Sequence, residues 1–453
     1  IFQSNPQLST GRIPIDNVDD GLVIIDKIQN YILNPPKGKW RSVIALISDD
    51  ENKEGTFEYN ELSHTKNSDK IFDELEKKLH IKQLYGPEYE PIYTQEGLAH
   101  PDMTNDILSA INSGVSLINY IGHGSASTLS DEKLLSMERD LDLICSTGSS
   151  CYTNKMIPIW VVGTCSFGEY DQTNSMTEEL LKSSHGGIAI VSTTRGVGVA
   201  ANINYLENFF EEISEFIDNN NNNNRLGDIV RIAKGNSNNN YLFHVFGDPA
   251  LPLPFPKSST EIIDAETISG FEILTDESIE LNTTELSSIQ ISTNSYEISY
   301  NVNDSILSYT KPGEIIYQGS FETETCFRIP IDSQFCDTCS IELKIYTDNQ
   351  SFNGNIQYID NIPLNESDNQ SLDINGPQIN LMQMNNKITK GSIINKNYPL
   401  EIHLNDPSGI NLMNSFQHNI RYWFNDDPSY YLANSTVFEY INGCDSGFVQ
   451  TYL

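Results

Sequence analysis

INYIGHGSAST at 118–128 and IWVVGTCSFGEYD at 159–171 are the two stretches that decide the fold. Each begins as a run of apolar, largely β-branched residues, which is typical of a strand buried on both faces of a parallel sheet. Each run stops near glycine at a reactive side chain, His123 in the first stretch and Cys165 in the second. The carboxyl ends of parallel strands open into the crevice where ligands bind, so we expect this His and this Cys to meet there.

A thiol beside an imidazole is the minimum for an activated thiolate nucleophile. Cys165 precedes a predicted helix start, and His123 is placed to take the thiol proton. The backbone N–H groups of Gly124 and Cys165 would point at a developing oxyanion. The alternative is a buried structural cysteine and a core histidine, because single Cys and His residues also occur without a catalytic role. Of the two, we adopt the cysteine peptidase as the working hypothesis.

Strands and helices alternate around these two stretches, which predicts a mostly parallel α/β sheet with crossover helices. Apart from the His123 and Cys165 strands, the pattern predicts strands at 9–15, 41–50 and 186–196. It predicts helices at 18–33, 71–79, 103–112, 131–138 and 174–183, through Phe209 and Phe210, and at 225–235.

The composition changes after Pro256. Short alternating runs such as SSIQIST and SIELKIYT, separated by Ser, Thr, Asn and Asp, predict all-β sandwich domains. We therefore expect a peptidase domain at 1–256, a β-sandwich at 257–374 and a second β-rich domain at 375–453. The asparagine run at 219–224 is expected to form a mobile surface loop.

The acidic residues outnumber the basic ones by 62 to 27, which gives a net charge of −35. Such a surface repels phosphate backbones and excludes nucleic-acid binding. The main interpretation of this charge is that it keeps the protein soluble. The second is that it attracts basic segments of a substrate. The chain begins at Ile1 and ends inside a predicted strand, so we expect a fragment that is truncated at both ends. No transmembrane segment and no signal peptide is predicted.

Seven cysteines leave six for pairing if Cys165 is free, which suits an oxidising exterior. CDTC at 336–339 resembles half of a zinc site, but no second half follows, so disulfides or buried thiols are preferred. No cofactor is expected to be required. The many carboxylates leave a structural calcium ion open, although no EF-hand loop is present. Four histidines are expected to be exposed in loops or at helix ends, and these are His64, His80, His100 and His185.

Several motifs together resemble the gingipain family of cysteine peptidases. They are NYIGHGS, VVGTCSFGEYD and GGIAIVSTTRG, with GRIP near the start and FGDPALPLP at the close of 1–256. The resemblance implies a caspase-like catalytic domain with His123 as general base and Cys165 as nucleophile. In that family an acidic residue orients the histidine, and the matching position here is Gln7, whose amide oxygen could accept the imidazole N–H. Asp49 or Asp50, at the end of a predicted strand, is the other candidate, although aspartates there are often only caps.

The β-rich continuation adds YQGSF, RIPI, NGPQI and DPSGI, which are similar to the sortases of the bacterial type IX secretion system. This resemblance implies a transpeptidase at the bacterial cell surface, associated with the outer membrane. It would remove the C-terminal sorting signal of secreted cargo through a thioester at Cys165 and pass the cargo to an amine of lipopolysaccharide. Other outer-membrane attachment components would be its partners. The alternatives are a secreted gingipain-type endopeptidase and a catalytically silent scaffold.

Overall fold

The fold is described from a computed structural model of the 453-residue chain. The residues that it describes are 6–50, 63–94, 97–171, 174–220, 224–235, 239–273, 275–282, 285–302, 305–321, 326–330, 340–348, 354–365, 375–395, 398–413, 420–422, 432–433, 438–441 and 445–451. The CDTC motif and residues 221–223 of the asparagine run lie outside these residues.

A seven-stranded sheet organises the first part of the chain. Its order is β1-β11-β10-β9-β6-β2-β3, and the neighbouring pairs from β10 to β3 are parallel. The strands up to residue 246 are β1 Gly11–Arg12, β2 Val43–Ser48, β3 His80–Tyr85, β4 Ile92–Thr94, β5 Gly97–Ala99, β6 Leu117–Ile121, β7 Thr128–Leu129, β8 Leu135–Ser136, β9 Ile159–Gly163, β10 Ala189–Thr193 and β11 Phe243–Phe246. The mostly parallel α/β sheet is thus confirmed.

The central strands are buried because helices cover both faces of the sheet. Every residue of β2, β6, β9 and β10 is buried, as the apolar runs predict. The α-helices are α1 Val18–Leu33, α2 His64–Leu75, α3 Pro101–Ser113, α4 Met137–Asp140, α5 Ser150–Asn154, α6 Met176–Lys182, α7 Val199–Ile217 and α8 Leu226–Lys234. Side chains of α1, α3, α5 and α6 share one core with the face of Ile118, Tyr120 and Trp160. Helices α2 and α7 pack against each other, α2 also against β2 and β6, and α7 against β9.

Most predicted elements are confirmed within a few residues, but the predicted helix at 131–138 is wrong. This segment contains a turn, β8 and only the start of the four-residue α4. Left-handed backbone angles occur at Ser130, just before the segment, with φ 68°, and at Lys133 within it, with φ 54°. Left-handed backbone angles interrupt a right-handed helix. The segment therefore forms a turn, although its sequence pattern predicts a helix.

The remainder of the chain is rich in β-structure, as expected. Its strands are β12 Lys257–Ser258, β13 Phe271–Glu272, β14 Ser287–Thr293, β15 Tyr296–Val302, β16 Ser305–Lys311, β17 Ile315–Phe321, β18 Ser340–Thr347, β19 Asn355–Asn365, β20 Gln378–Gln383, β21 Asn386–Lys387, β22 Leu400–Asn405, β23 Arg421–Tyr422, β24 Leu432–Ala433, β25 Glu439–Ile441 and β26 Ser446–Thr451. An 11-stranded sheet joins strands from both sides of the expected boundary at residue 375.

The chain forms two compact units, of which the first is discontinuous. It consists of 1–257 together with 297–311, and the second consists of 258–296 together with 312–453. The inserted segment is most of the β15–β16 hairpin, which packs against α2. In this contact Asp69 Oδ1 of α2 accepts the Thr310 N–H at 2.9 Å. The Tyr309 hydroxyl donates to Glu88 at 2.8 Å.

Cys145 and Cys151 form a disulfide in the segment between β8 and β9, where Cys151 belongs to α5. Cys326 is also disulfide-bonded, and Cys165 is the free cysteine within the described part of the chain. Of the helices that the structure describes, none has the length and apolar character needed to span a bilayer.

Candidate active site

The sheet brings the His123 and Cys165 segments together at one edge. Strands β6 and β9 are parallel neighbours, and their last paired residues are Ile121 and Gly163. His123 and Cys165 each lie two positions beyond that pair, and both are partly exposed. Because paired strands lie about 4.8 Å apart, the two residues leave the sheet side by side at its carboxyl edge. The predicted juxtaposition of these strand ends is therefore present.

The chain turns sharply after Cys165. Ser166 has a φ of 56°, a left-handed angle that a non-glycine residue adopts only where its surroundings hold it. The Ser166 N–H donates to the Arg195 carbonyl oxygen at 3.2 Å. In the same loop the Val197 N–H lies 3.4 Å from the Cys165 sulfur, and the Val197 oxygen lies 3.6 Å from it. The loop that follows β10 thus holds the thiol at the sheet edge.

The predicted helix start beside Cys165 is not found there, since α6 begins at Met176. The turn at Ser166 and the loop of Val197 occupy this position instead. The thiol is therefore surrounded by loop backbone rather than by the first turn of a helix. Sequence alone does not show this, because the contact joins residues 32 positions apart.

The backbone of the His123 loop is fixed by Asp49, which follows β2. Asp49 Oδ2 accepts the His123 N–H at 2.9 Å. The Tyr120 hydroxyl lies 3.1 Å from that oxygen and 2.7 Å from the His123 carbonyl oxygen, so it can donate to either. Ser130 closes the loop by donating its N–H to the His123 oxygen at 2.9 Å. Asp49 thus bonds to the backbone of the histidine that it was expected to orient.

The predicted oxyanion donors are the backbone N–H groups of Gly124 and Cys165. Neither the Gly124 N–H nor the Cys165 N–H donates to an oxygen within the described ranges. The two loops that carry these groups are in close contact. A Cβ atom added at Gly124 would lie only 2.8 Å from Thr164 Oγ1. Glycine at 124 is therefore required by the close approach of Thr164. The role of these two N–H groups as oxyanion donors stays a prediction.

Three histidines that were expected to be exposed are buried. His64 is 5%, His80 4% and His100 3% exposed. The His64 ring lies in edge-to-face contact with the His123 ring, with 5.2 Å between centroids and 81° between planes. Whether a polar residue is buried depends on which distant segments pack against it, and the local sequence pattern does not show this. His64 is the neighbour of His123 that the sequence analysis missed.

Asp49, Asp50 and Glu132 form a buried carboxylate cluster behind His123. One ligand oxygen of each lies within 4.8 Å of the others, so these described residues could together hold a metal ion. Burial, followed by the charges of Asp50 and Glu132, raises the pKa of Asp49 well above its usual range. His100 Nε2 lies 3.2 Å from Asp50 Oδ2. The cluster thus concentrates acidic charge next to the loop that carries the proposed base.

Gln7 lies elsewhere, next to α8. It is exposed and lines a groove of about 400 Å³. The groove is formed by Pro6, Gln7, Leu8, Ser9, Thr10, Gly227, Val230, Arg231, Lys234 and Tyr241. Neighbouring Ser9 donates to Asp228 of α8 at 2.8 Å. In the sheet, β1 is separated from β6 by three strands, whereas β2 is its direct neighbour. Asp49 bonds directly to the His123 loop, and Gln7 stays a prediction.

Solved structures of gingipains are similar to this chain. A crystal structure of the Arg-specific cysteine proteinase gingipain R (RgpB) is 14% identical, covers 79% of this chain and 74% of its own, and has a TM-score of 0.44. A complex of Porphyromonas gingivalis RgpB pro- and mature domains is 13% identical, covers 80% and 77%, and has a TM-score of 0.42. A structure described as a protease is 15% identical, covers 78% and 75%, and has a TM-score of 0.41.

No curated protein sequence matches the chain. The sequence model of peptidase family C25 matches residues 3–254, which include all of β1 to β11 and both reactive strand ends. The match spans more than half of the chain and ends within two residues of the predicted border of the peptidase domain. The chain therefore belongs to peptidase family C25, the gingipain family of cysteine peptidases.

Proposed function

We propose that the protein is a cysteine transpeptidase that uses Cys165 as nucleophile and His123 as general base. The observation that supports this most directly is that both residues follow the same pair of neighbouring parallel strands by two positions. Cys165 is also the free thiol of the described part of the chain. The proposed chemistry requires no cofactor.

The first half-reaction would form a thioester. His123 removes the thiol proton of Cys165, and the sulfur attacks the carbonyl carbon of the scissile peptide. The N–H groups of Gly124 and Cys165 donate to the resulting oxyanion, which is where electrostatic stabilisation matters most. The tetrahedral intermediate then breaks its C–N bond, and the leaving amine takes the proton from the His123 imidazolium.

The second half-reaction decides between transpeptidase and protease. If an amine attacks the thioester, it gives a proton to His123, an amide forms and the Cys165 thiol is restored. If water attacks, the product is a carboxylic acid. We propose that the amine belongs to lipopolysaccharide and that the acyl group is cargo of the type IX secretion system, as the similarity of the β-rich continuation to the sortase PorU suggests. The alternatives are a secreted endopeptidase and a silent scaffold.

The proposed location is the bacterial cell surface, in association with the outer membrane and its attachment components. The Cys145–Cys151 disulfide supports an oxidising compartment, since such bonds are rare in the cytosol. The net charge of −35 supports an exposed, highly solvated surface.

The dyad can be tested with a thiol-directed acylating probe on the full chain. Wild-type protein should be labelled at Cys165. Both Cys165→Ala and His123→Ala should lose about 100-fold or more in labelling rate, because a nucleophile or its general base contributes at least that much. Equal labelling of the variants and the wild type would refute the nucleophile assignment and leave the scaffold as the better function.

The reaction type needs a second measurement. Cargo that carries a C-terminal sorting domain is incubated with a primary-amine acceptor, and the products are separated by mass. The transpeptidase predicts an amide-linked product whose share grows with acceptor concentration. Hydrolysed cargo alone, even at high acceptor concentration, would instead identify the endopeptidase.

A further inference from the structure

The imidazole of His123 has a second imidazole against it. His64, the first residue of α2, contacts the His123 ring edge-to-face with 5.2 Å between the centroids. His64 is 5% exposed and comes from a helix that precedes β6 in the chain by more than 40 residues. A buried contact at this distance restricts the rotation of both rings, because neither can turn without losing packing.

The position of His64 is itself fixed relative to the sheet edge. The next residue, Thr65, is fully buried, and its Oγ1 lies 3.2 Å from the hydroxyl of Ser48. Ser48 is the last residue of β2 and pairs with Ile121 of β6. The start of α2 is thus tied to the strand pair from which the His123 loop emerges. Movement of α2 relative to His123 would break this bond.

We propose that His64 is a positioning residue that holds the imidazole of His123 toward Cys165. The inference rests on the proposed function, because it concerns the geometry of that dyad. Asp49 bonds to the backbone N–H of His123, whereas the His64 ring contacts the imidazole itself. That contact comes from the start of α2.

The charge of His64 also matters for this role. When His123 takes the thiol proton its ring becomes positive, and a second positive ring at 5.2 Å would repel it. An uncharged ring at position 64 avoids this repulsion. The titratable groups near His123 in the described structure are His64 on α2, Tyr120 on β6, Cys165 after β9 and the carboxylate cluster of Asp49, Asp50 and Glu132.

The test is the rate of Cys165 alkylation by iodoacetamide between pH 5 and pH 9, measured on the full chain with the modified residue identified by mass. His64→Ala should lower the rate at neutral pH at least 10-fold and change the shape of the pH profile. His64→Phe keeps an aromatic ring without a charge. Because exchanges that conserve shape are tolerated best, it should restore the rate to within about 3-fold of wild type. Rescue by Phe is an outcome that a merely polar role for His64 does not predict.

His80→Ala is the matched control. His80 is also buried, at 4% exposure, and opens β3 at the opposite edge of the sheet, where its ring contacts Ser42. The His80→Ala variant should be less stable than the wild type, but the pH profile of Cys165 alkylation should be unchanged. The proposal is wrong if His64→Ala alkylates within 2-fold of wild type, if His64→Phe is as slow as His64→Ala, or if His80→Ala shows the same altered profile.

Failure of the proposed function would look different. If His123→Ala alkylates Cys165 as fast as the wild type, the dyad itself is refuted, whatever the His64 variants do. If His123→Ala is slow and His64→Ala is not, only the role of His64 is refuted. Thermal unfolding of each variant shows whether it is folded, and His64→Phe remains as the test if His64→Ala is not.

Discussion

The Lys27 amino group is buried, and its bonds within the described part of the chain go to carbonyl oxygens rather than to a carboxylate. The residue is 5% exposed, and its Nζ donates to the carbonyl oxygens of Leu181, Ser183 and Gly187 at 2.5, 2.6 and 2.8 Å. Burial lowers its pKa to about 7, while the three acceptors oppose that effect by favouring the charged form. Lys27 thus joins α1 to the end of α6 and the turn before β10.

Lys27→Met should lower the free energy of unfolding by about 2–4 kcal/mol, because three buried carbonyl oxygens lose their donor. Urea denaturation of the full chain measures this loss. Lys70→Met is the control, since Lys70 forms an exposed ion pair with Glu207, and we expect less than about 1 kcal/mol there. An unchanged stability of Lys27→Met would mean that the carbonyl groups find other donors.

His244 on β11 should make folding sensitive to acid. Burial, followed by the charge of Lys234, lowers its pKa from 6.5 to about 4. Between these values the unfolded chain binds a proton that the folded chain does not, so stability is present above pH 6.5 and is lost as the pH falls toward 4. Urea unfolding at pH 7, 6 and 5 should show a smaller decline for His244→Gln than for the wild type. Parallel declines would contradict the assignment.

At the scale of elements, the junction of β2 and β6 leaves no room for a side chain at Gly122. A Cβ atom there would lie 2.4 Å from Asp49 Cβ and 2.4 Å from the Tyr120 hydroxyl oxygen. Both neighbours bond to His123, so a methyl group would displace the loop that carries the proposed base. Close approach, rather than a special backbone angle, is what requires glycine at this position.

Gly122→Ala should therefore reduce Cys165 labelling by at least 10-fold and lower stability by about 1–3 kcal/mol, the usual cost of overpacking. Gly196→Ala is the control, because nothing lies within 4 Å of a Cβ atom there although the residue adjoins the Cys165 loop. The prediction requires the two variants to differ in labelling rate. Similar rates would show that the loop adjusts to the extra methyl group.

The strand ends could be predicted from sequence because a buried strand followed by glycine and a reactive residue is a local pattern. Asp49 could also be named as a candidate, because it ends a predicted strand. The contact of His64 with His123 could not be predicted, because His64 reaches it from another element. The same reason explains why His64 was expected to be exposed. Thr65 and Ser68 at the start of α2 are polar, so the sequence suggests that this end of the helix is exposed. Both are fully buried in the structure, which places the helix end inside the molecule.

At the scale of the whole molecule, the first unit is completed by a segment from beyond its family match. The β15–β16 hairpin places Tyr309, which is 2% exposed, against Tyr85 with 5.2 Å between ring centroids. Lys311 pairs with Glu88 at 2.5 Å. The sequence did not predict this, because alternating runs show that a hairpin exists but not which unit it packs against.

Tyr309→Ala should lower the stability of the first unit by about 3–5 kcal/mol, as for other large aromatic side chains removed from a core. Ile306→Ala in the same hairpin should cost less than about 1 kcal/mol, because Ile306 is 67% exposed. Thermal unfolding of the full chain, with Cys165 labelling as a marker of the first unit, separates the two. Equal shifts would mean that the hairpin adds little to this unit.

The discontinuity of the first unit also affects how the chain acquires its structure as it is made. Residue 311 follows residue 257 by 54 positions. At a synthesis rate of roughly 5–20 residues per second, that interval lasts roughly 3 to 11 s. During this time the surface of α2 and Tyr85 that the hairpin covers in the folded unit stays exposed to solvent.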